Sequence, residues 1–394
     1  MTNSKAPSLS LTLAAMLLAR TTLNISYRIT YPFLPVIARG LGVDLTSAGL
    51  LVTARATGGL ASPLLGSLSD AWGRKRLMLL GLTFLIAGGA ICATLPLYAA
   101  FMAAFVMFGL SKAAYDPALQ AYIGDHVPYE RRGRVIGITE LSWAGAWLIG
   151  VPTAGWLIAR AGWQAPFALL AALGIAGLAL IAWILPGNER PLRLPKPQGS
   201  ALPHNRNLLA ALGVTFLITL ANEITFIVYG AWMESRFGLS VVSLGVASMV
   251  IGLAETVGEF CSAAFVDRWG KRRSVLAGLL LLAVAYGVLP MLGHQLVWTL
   301  GGLAFLFIAF EFTIVSFLPL MSELAPQARA TALSSNVAAG TLARMIGSVS
   351  GTALFVRTGL LGPNATASVI ASLVAFGVLW MFVQERPRPQ STDR

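Results

Sequence analysis

An all-α integral membrane protein, with twelve spanning helices in two related halves, is the fold class this 394-residue sequence predicts. Three observations lead there. Charged residues make up only 11% of the chain and hydrophobic ones 56%, whereas a soluble domain carries about a quarter charged. Gly66-Ser-Leu-Ser-Asp70-Ala-Trp-Gly73-Arg74-Lys75-Arg76 returns, with drift, at Ala263-Ala-Phe-Val-Asp267-Arg-Trp-Gly270-Lys271-Arg272-Arg273. The offset is 197 residues, half the chain, and Arg132 precedes Arg329 by the same distance. Finally, the basic residues cluster on alternate loops, as in a polytopic membrane protein.

The elements follow in order, with ends placed by periodicity and by apolar runs of spanning length. Helix α1 (about 11–37) carries Arg20, Asn24, Tyr27, Arg28 and Tyr31. Those offsets of 0, 4, 7, 8 and 11 make one polar stripe on an apolar helix. Helix α2 (about 45–69) holds Arg55 and ends in the repeated segment. Helix α3 (about 76–96) is the run Leu77–Pro96. Helix α4 (about 98–123) places Lys112 and Asp116 one turn apart, close enough to neutralise each other. Helix α5 (about 134–159) contains Glu140 and a small-residue run. Helix α6 (about 163–186) is built on Phe167–Leu185.

A Pro- and charge-rich stretch, 187–206, reads as the linker between an N-terminal bundle (1–186) and a C-terminal one (207–394). Beyond it come α7 (about 207–233) with Asn222 and Glu223, and α8 (about 242–266) with Glu255 and Glu259. Helix α9 (about 273–293) is apolar over Val275–Leu292. Helix α10 (about 296–323) holds Glu311, α11 (about 330–357) holds Arg344, and α12 (about 364–384) is apolar over Ala365–Val383. Leaving aside residues at the span ends, eleven charges thus fall inside the membrane, none of them on α3, α6, α9 or α12. Each would cost roughly 2.5–3.5 kcal/mol against lipid, so the other eight helices need protein or water beside them.

With both ends in the cytoplasm, 19 of the 28 Lys and Arg lie on cytoplasmic segments and only Arg39, Arg160, Arg236 and Arg357 lie outside. The net charge of +12 therefore orients the chain in the bilayer and does not point to nucleic acid. Cys92 and Cys261 sit in hydrophobic stretches, and His126, His204 and His294 are isolated. No nucleophile–base pair or metal-ligand spacing appears, so neither an enzyme nor a metal site is expected. Short loops, with no expected soluble domain, count against a non-transporting receptor or scaffold, which needs a readout surface.

The segment Gly66-x-Leu68-x-Asp70-x-x-Gly73-Arg74-Lys75-Arg76 resembles the signature loop of the major facilitator superfamily. The resemblance covers essentially the whole chain. It implies two six-helix bundles around a central cavity lined by α1, α4, α7 and α10, with α3, α6, α9 and α12 peripheral. It makes Gly66, Asp70, Gly73 and Arg74, with Asp267, Gly270 and Lys271 in the second copy, a conformational switch. Gly145, Gly150, Pro152 and Gly155 on α5 are similar to the Gly/Pro motif of the antiporter and drug-efflux members, with Val151 interrupting the usual Gly-Pro pair. The Arg that drug–proton antiporters carry early in α4 is absent from Ala103–Gly109. Their proton scheme therefore does not transfer to that helix.

The expected substrate contacts are Arg20, Asn24, Tyr27, Arg28, Arg55, Lys112, Asp116, Asn222, Glu223 and Glu311. The expected proton carriers are Glu223, Glu255, Glu259 and Glu311, because intramembrane acids serve proton relays and two acids one turn apart repel; a salt bridge from Glu255 or Glu259 to Arg344 is the alternative. For Arg20 two fates stand open: a substrate contact, or a permanent pair with Asp116 or a second-half Glu. The expected function is secondary transport of a small amphiphilic solute, as proton-coupled export or, alternatively, inward transport of an organic anion. No cofactor is expected beyond the proton gradient. The expected partners are a small-molecule substrate and the lipid bilayer of the inner (plasma) membrane, around a functional monomer.

Overall fold

The computed structural model describes residues 9–62, 64, 65, 68, 72–185, 206–324 and 329–383. Gly66 and Asp70, the linker to residue 205 and both chain ends lie outside them. All regular structure among the described residues is helical. Helix α1 is Leu9–Arg28 continued by Thr30–Leu41, α2 Leu45–Gly59, α3 Arg74–Thr94, α4 Tyr98–His126 and α6 Ala165–Ile184. Helix α5 runs Tyr129–Gly145, through a π-helical turn at Ala146–Gly150, to Val151–Ala161. Helix α7 is Arg206–Phe226 and Tyr229–Phe237, and α8 is Val241–Ala247 and Met249–Trp269. Helix α9 is Lys271–Val288, α10 Leu296–Leu324, α11 Arg329–Thr358 and α12 Leu361–Phe382. Among the described residues, ten helices are long and apolar enough to cross a membrane, or eleven if Thr30–Leu41 and Leu45–Gly59, bent by 119°, are taken as one span.

Among the described residues four helices expected to be continuous, α1, α2, α7 and α8, are broken, α2 at Leu60 and Ala61. In α1 the break falls at Ile29, where Pro32 has no N–H to offer the Arg28 carbonyl. In α8 it falls at Ser248, whose hydroxyl bonds back to the Leu244 carbonyl at 2.7 Å, a contact that bends helices. The break in α7 lies about one repeat after that in α1 and has no proline.

The sequence repeat is reproduced in backbone and contacts. Gly73 and Gly270 precede α3 and α9 at φ 94° and 87°, and Gly162 and Gly359 recur at 91° and 66°. Residues with a Cβ avoid this region. Arg74 pairs with Asp125 at 3.1 Å, and Lys271 pairs with Glu323. Lys75 donates to the Ala182 and Leu185 carbonyls at the end of α6. Its counterpart Arg272 donates to the Trp380 and Val383 carbonyls at the end of α12, at 2.7 Å each. In each case a cation meets carbonyls that a helix end leaves unpaired.

The chain divides into two compact units. The first holds the described residues up to 185 together with Phe226–Leu253 and Arg344–Gly359; the second holds residues 206–225, Ala254–Ala343 and 360–383. In the first, Phe101, Phe105, Phe108 and Phe167 pack ring against ring. There α2 and α4 approach closely enough that a Cβ on Gly109 would strike the Arg55 carbonyl. In the second, α7 is tied to α12 by Asn364 donating to the Ile224 carbonyl (2.8 Å) and Ser368 to the Ala221 carbonyl (2.6 Å).

Candidate functional site

Within the first unit, α1, α4 and α5 bring six of their polar side chains into one chain of contacts. The Arg20 guanidinium, 4% exposed, meets Asp116 at 3.2 Å and Glu140 at 2.9 Å, and donates to the Thr139 carbonyl at 2.8 Å. Lys112 meets the other oxygen of Asp116 at 2.7 Å and donates to the Asn24 side-chain carbonyl at 2.6 Å. The Asn24 amide donates to Ser142 at 2.8 Å. Two cations and two carboxylates thus balance inside the unit. The helical spacing explains the assembly, since Arg20 and Asn24 are one turn apart on α1 and Lys112 and Asp116 one turn apart on α4.

A second layer is cationic and aromatic. The Arg28 guanidinium lies 4.6 Å from the Trp143 ring centre and 4.9 Å from that of Trp147. Lys112 lies 4.1 Å from Trp143. Arg55, 3% exposed, stacks over Tyr27 at 4.2 Å and donates to the Tyr27 carbonyl (2.9 Å), the Thr30 hydroxyl (3.2 Å) and the Tyr31 hydroxyl (3.3 Å). It pairs with no carboxylate among the described residues. Aromatic faces attract desolvated cations by about 2 kcal/mol or more, which helps to hold these charges.

The segments of α7, α8 and α11 in this unit close over its end that carries the Gly42 and Gly238 turns. Arg39 and Glu234 form a two-pronged pair at 2.8 and 3.2 Å. Thr53 of α2 bonds the Ser348 hydroxyl (2.8 Å) and the Met345 carbonyl (3.1 Å) of α11. Tyr31 stacks on Phe226 at 4.4 Å. Of the α5 glycines, Gly155 serves this closure, since a Cβ there would sit 2.5 Å from the Val241 carbonyl, whereas Gly150 faces α1, where a Cβ would strike Ile25. Pro152 follows the π-helical turn, and Gly145 has only Thr21 within reach.

In the second unit Glu223 and Glu255 are buried at 1% and 6% exposure, and Glu259 and Glu311 are half-buried. None of the four stands free. Gly258 brings α8 against Glu311, whose Cβ would lie 2.8 Å from a Cβ at 258. The Asn222 side-chain oxygen is buried and accepts no hydrogen bond among the described residues. Of the switch residues, Gly73 and Arg74 are placed as above, Gly270 and Lys271 repeat them, and Asp267 is exposed. Sequence reasoning left out Glu140 as a partner of Arg20, and the tryptophans over Arg28. Glu140, Trp143 and Trp147 fall at offsets 0, 3 and 7, a helical stripe that would have revealed them.

The family model described as Major Facilitator Superfamily matches residues 16–347, and again residues 211–394. The Bacillus subtilis "Uncharacterized MFS-type transporter YceJ" is 27% identical over 375 residues, 92% of this chain and 94% of its own. The Streptomyces lividans "Chloramphenicol resistance protein" is 27% identical over 364 residues, covering 87% of this chain and 89% of its own. A crystal structure of a D-xylose–proton symporter superposes with a TM-score of 0.77 at 20% identity, over 96% of this chain and 97% of that one.

Proposed function

The chain belongs to the Major Facilitator Superfamily, and on that premise we propose that it is a secondary transporter exporting a small amphiphilic organic compound in exchange for protons. The observation that bears most on export is the α5 run Gly145–Gly155. Its glycines let α5 press against α1 and the first segment of α8, where a single added carbon at 155 or 150 meets backbone or side chain. Alternating access needs such a contact to be tight, apolar and separable, and small residues meet those demands. The resemblance of this run to that of drug-efflux members, and the likeness to a chloramphenicol resistance protein, support the same direction.

Protons are assigned to Glu223, Glu255, Glu259 and Glu311, because the acids of α4 and α5 are already held by Arg20 and Lys112. Asp70 is assigned the switch, and the α1–α4–α5 cluster the polar end of the substrate. A second reading, inward transport of an organic anion, is favoured by one observation: the buried Arg55 guanidinium has no carboxylate among the described residues.

Everted vesicles with an imposed pH gradient test the proposal. Addition of amphiphilic compounds should discharge the gradient in vesicles containing the wild type. The effect should be lost in at least one of the Glu→Gln variants at 223, 255, 259 and 311, which should still exchange labelled compound. Full pH-driven flux in all four variants would remove the proton assignment, and uptake into intact cells would favour the inward reading.

A further inference from the structure

We infer that Arg344 is a ligand-binding residue, and that it takes the carboxylate, sulfonate or phosphate group of an amphiphile. It lies 15 residues into the 30-residue helix Arg329–Thr358. At 1.5 Å per residue, about 20 Å of helix extends to either side, too far for an arginine to snorkel to a membrane surface. Yet Arg344 is exposed, and among the described residues it forms no hydrogen bond or ion pair. A guanidinium at this depth needs water or an anion beside it.

The surroundings say which face it occupies. Leu333, Val337, Arg344 and Ser348 fall at offsets 0, 4, 11 and 15, one stripe of α11. Leu333 and Val337 are 39% and 55% exposed, while Ser348 is 0% exposed and sealed against Thr53. Arg344 is therefore the last open position before that seal. The apolar residues Leu342 and Ile346, 47% and 51% exposed, occupy the opposite face and suit lipid. In the first unit Arg344 thus stands open on α11, and like the buried Arg55 it pairs with no carboxylate among the described residues. An anion there would be held by a charge-assisted, two-pronged contact from Arg344.

The amphiphilic nature of the ligand rests on the proposed transport; the anion site does not. In a variant lacking Cys92 and Cys261, Thr341→Cys places a thiol one turn from Arg344. The full-length protein, in nanodiscs of zwitterionic lipid, is labelled with the anionic sulfonatoethyl and the cationic trimethylammonioethyl methanethiosulfonates. The anionic-to-cationic rate ratio, normalised to a free thiol, should be raised with Arg344 present. It should fall about tenfold in Arg344→Gln and be kept in Arg344→Lys. Octane-1-sulfonate should slow labelling, and Arg344→Gln should raise the concentration needed about tenfold. An unreactive thiol, a ratio indifferent to Arg344→Gln, or equal protection by 1-octanol would overturn the site. Because labelling needs no flux, loss of pH-driven transport with the ratio intact would count against the exporter and leave the anion site standing.

Discussion

Arg20 has its guanidinium committed to Asp116, Glu140 and the Thr139 carbonyl, and only Lys112 remains to balance Asp116 if it is removed. Breaking a buried pair from one side is expensive because a charge is left behind. Arg20→Met should lower stability by about 3 kcal/mol, and adding Glu140→Gln should restore part of the loss. Thermal unfolding in detergent measures both, and an unchanged midpoint in the single variant would make Arg20 dispensable to the bundle. Asp44, at the exposed start of α2, accepts from the Ser47 and Thr46 amides at 3.2 Å each. Hydrogen bonding led by Ser47 holds its carboxyl below the usual range. The folded value being the lower one, the cap's contribution is present above the ordinary value of about 3.9 and is lost as pH falls through the native value. Asp44→Ala should cost about 1 kcal/mol at neutral pH, a difference that closes below roughly pH 4. A gap that persists in acid would show that the side chain caps without its charge.

Between helices, the absence of a side chain decides the geometry. Gly58 and Gly109 face each other across α2 and α4: a Cβ on Gly58 would strike the Val106 carbonyl, and one on Gly109 the Arg55 carbonyl. Backbone cannot move aside as a side chain can. Gly109→Val should therefore abolish the monodisperse peak in size-exclusion chromatography, whereas Gly59→Val, with nothing within 4 Å, should leave it intact. Equal behaviour of the two variants would contradict the close crossing. The same crossing sets the site, because the Arg55 carbonyl lies against Gly109 while its side chain reaches Tyr27 and Tyr31.

Over the whole chain, the recurring Arg74–Asp125 and Lys271–Glu323 pairs show that the repeat conserves interactions as well as residue types. Asp70 lies outside the described residues, and its assignment as a switch stands as a proposal. Asp70→Asn should cut turnover while leaving substrate affinity within a few-fold. Large loss of affinity with normal turnover would reassign it to the ligand.

The helical class, the repeat and the approximate places of the helices were legible in the sequence, though not the breaks within them, because lipid demands long apolar runs and forbids unpaired backbone. The repeat is linear information, and so is the polar stripe of α1. What needed the tertiary structure was the choice among partners. Lys112 and Asp116 could be paired from their spacing, but Arg20 could have met substrate, Asp116 or a second-half acid, and Glu140 entered only because α5 packs beside α1. Likewise the sequence puts Arg344 inside the membrane, but only packing leaves it open one turn from a buried Ser348. Periodicity fixes which face of its own helix a residue occupies; which charge faces it from another helix depends on packing between segments distant in the chain.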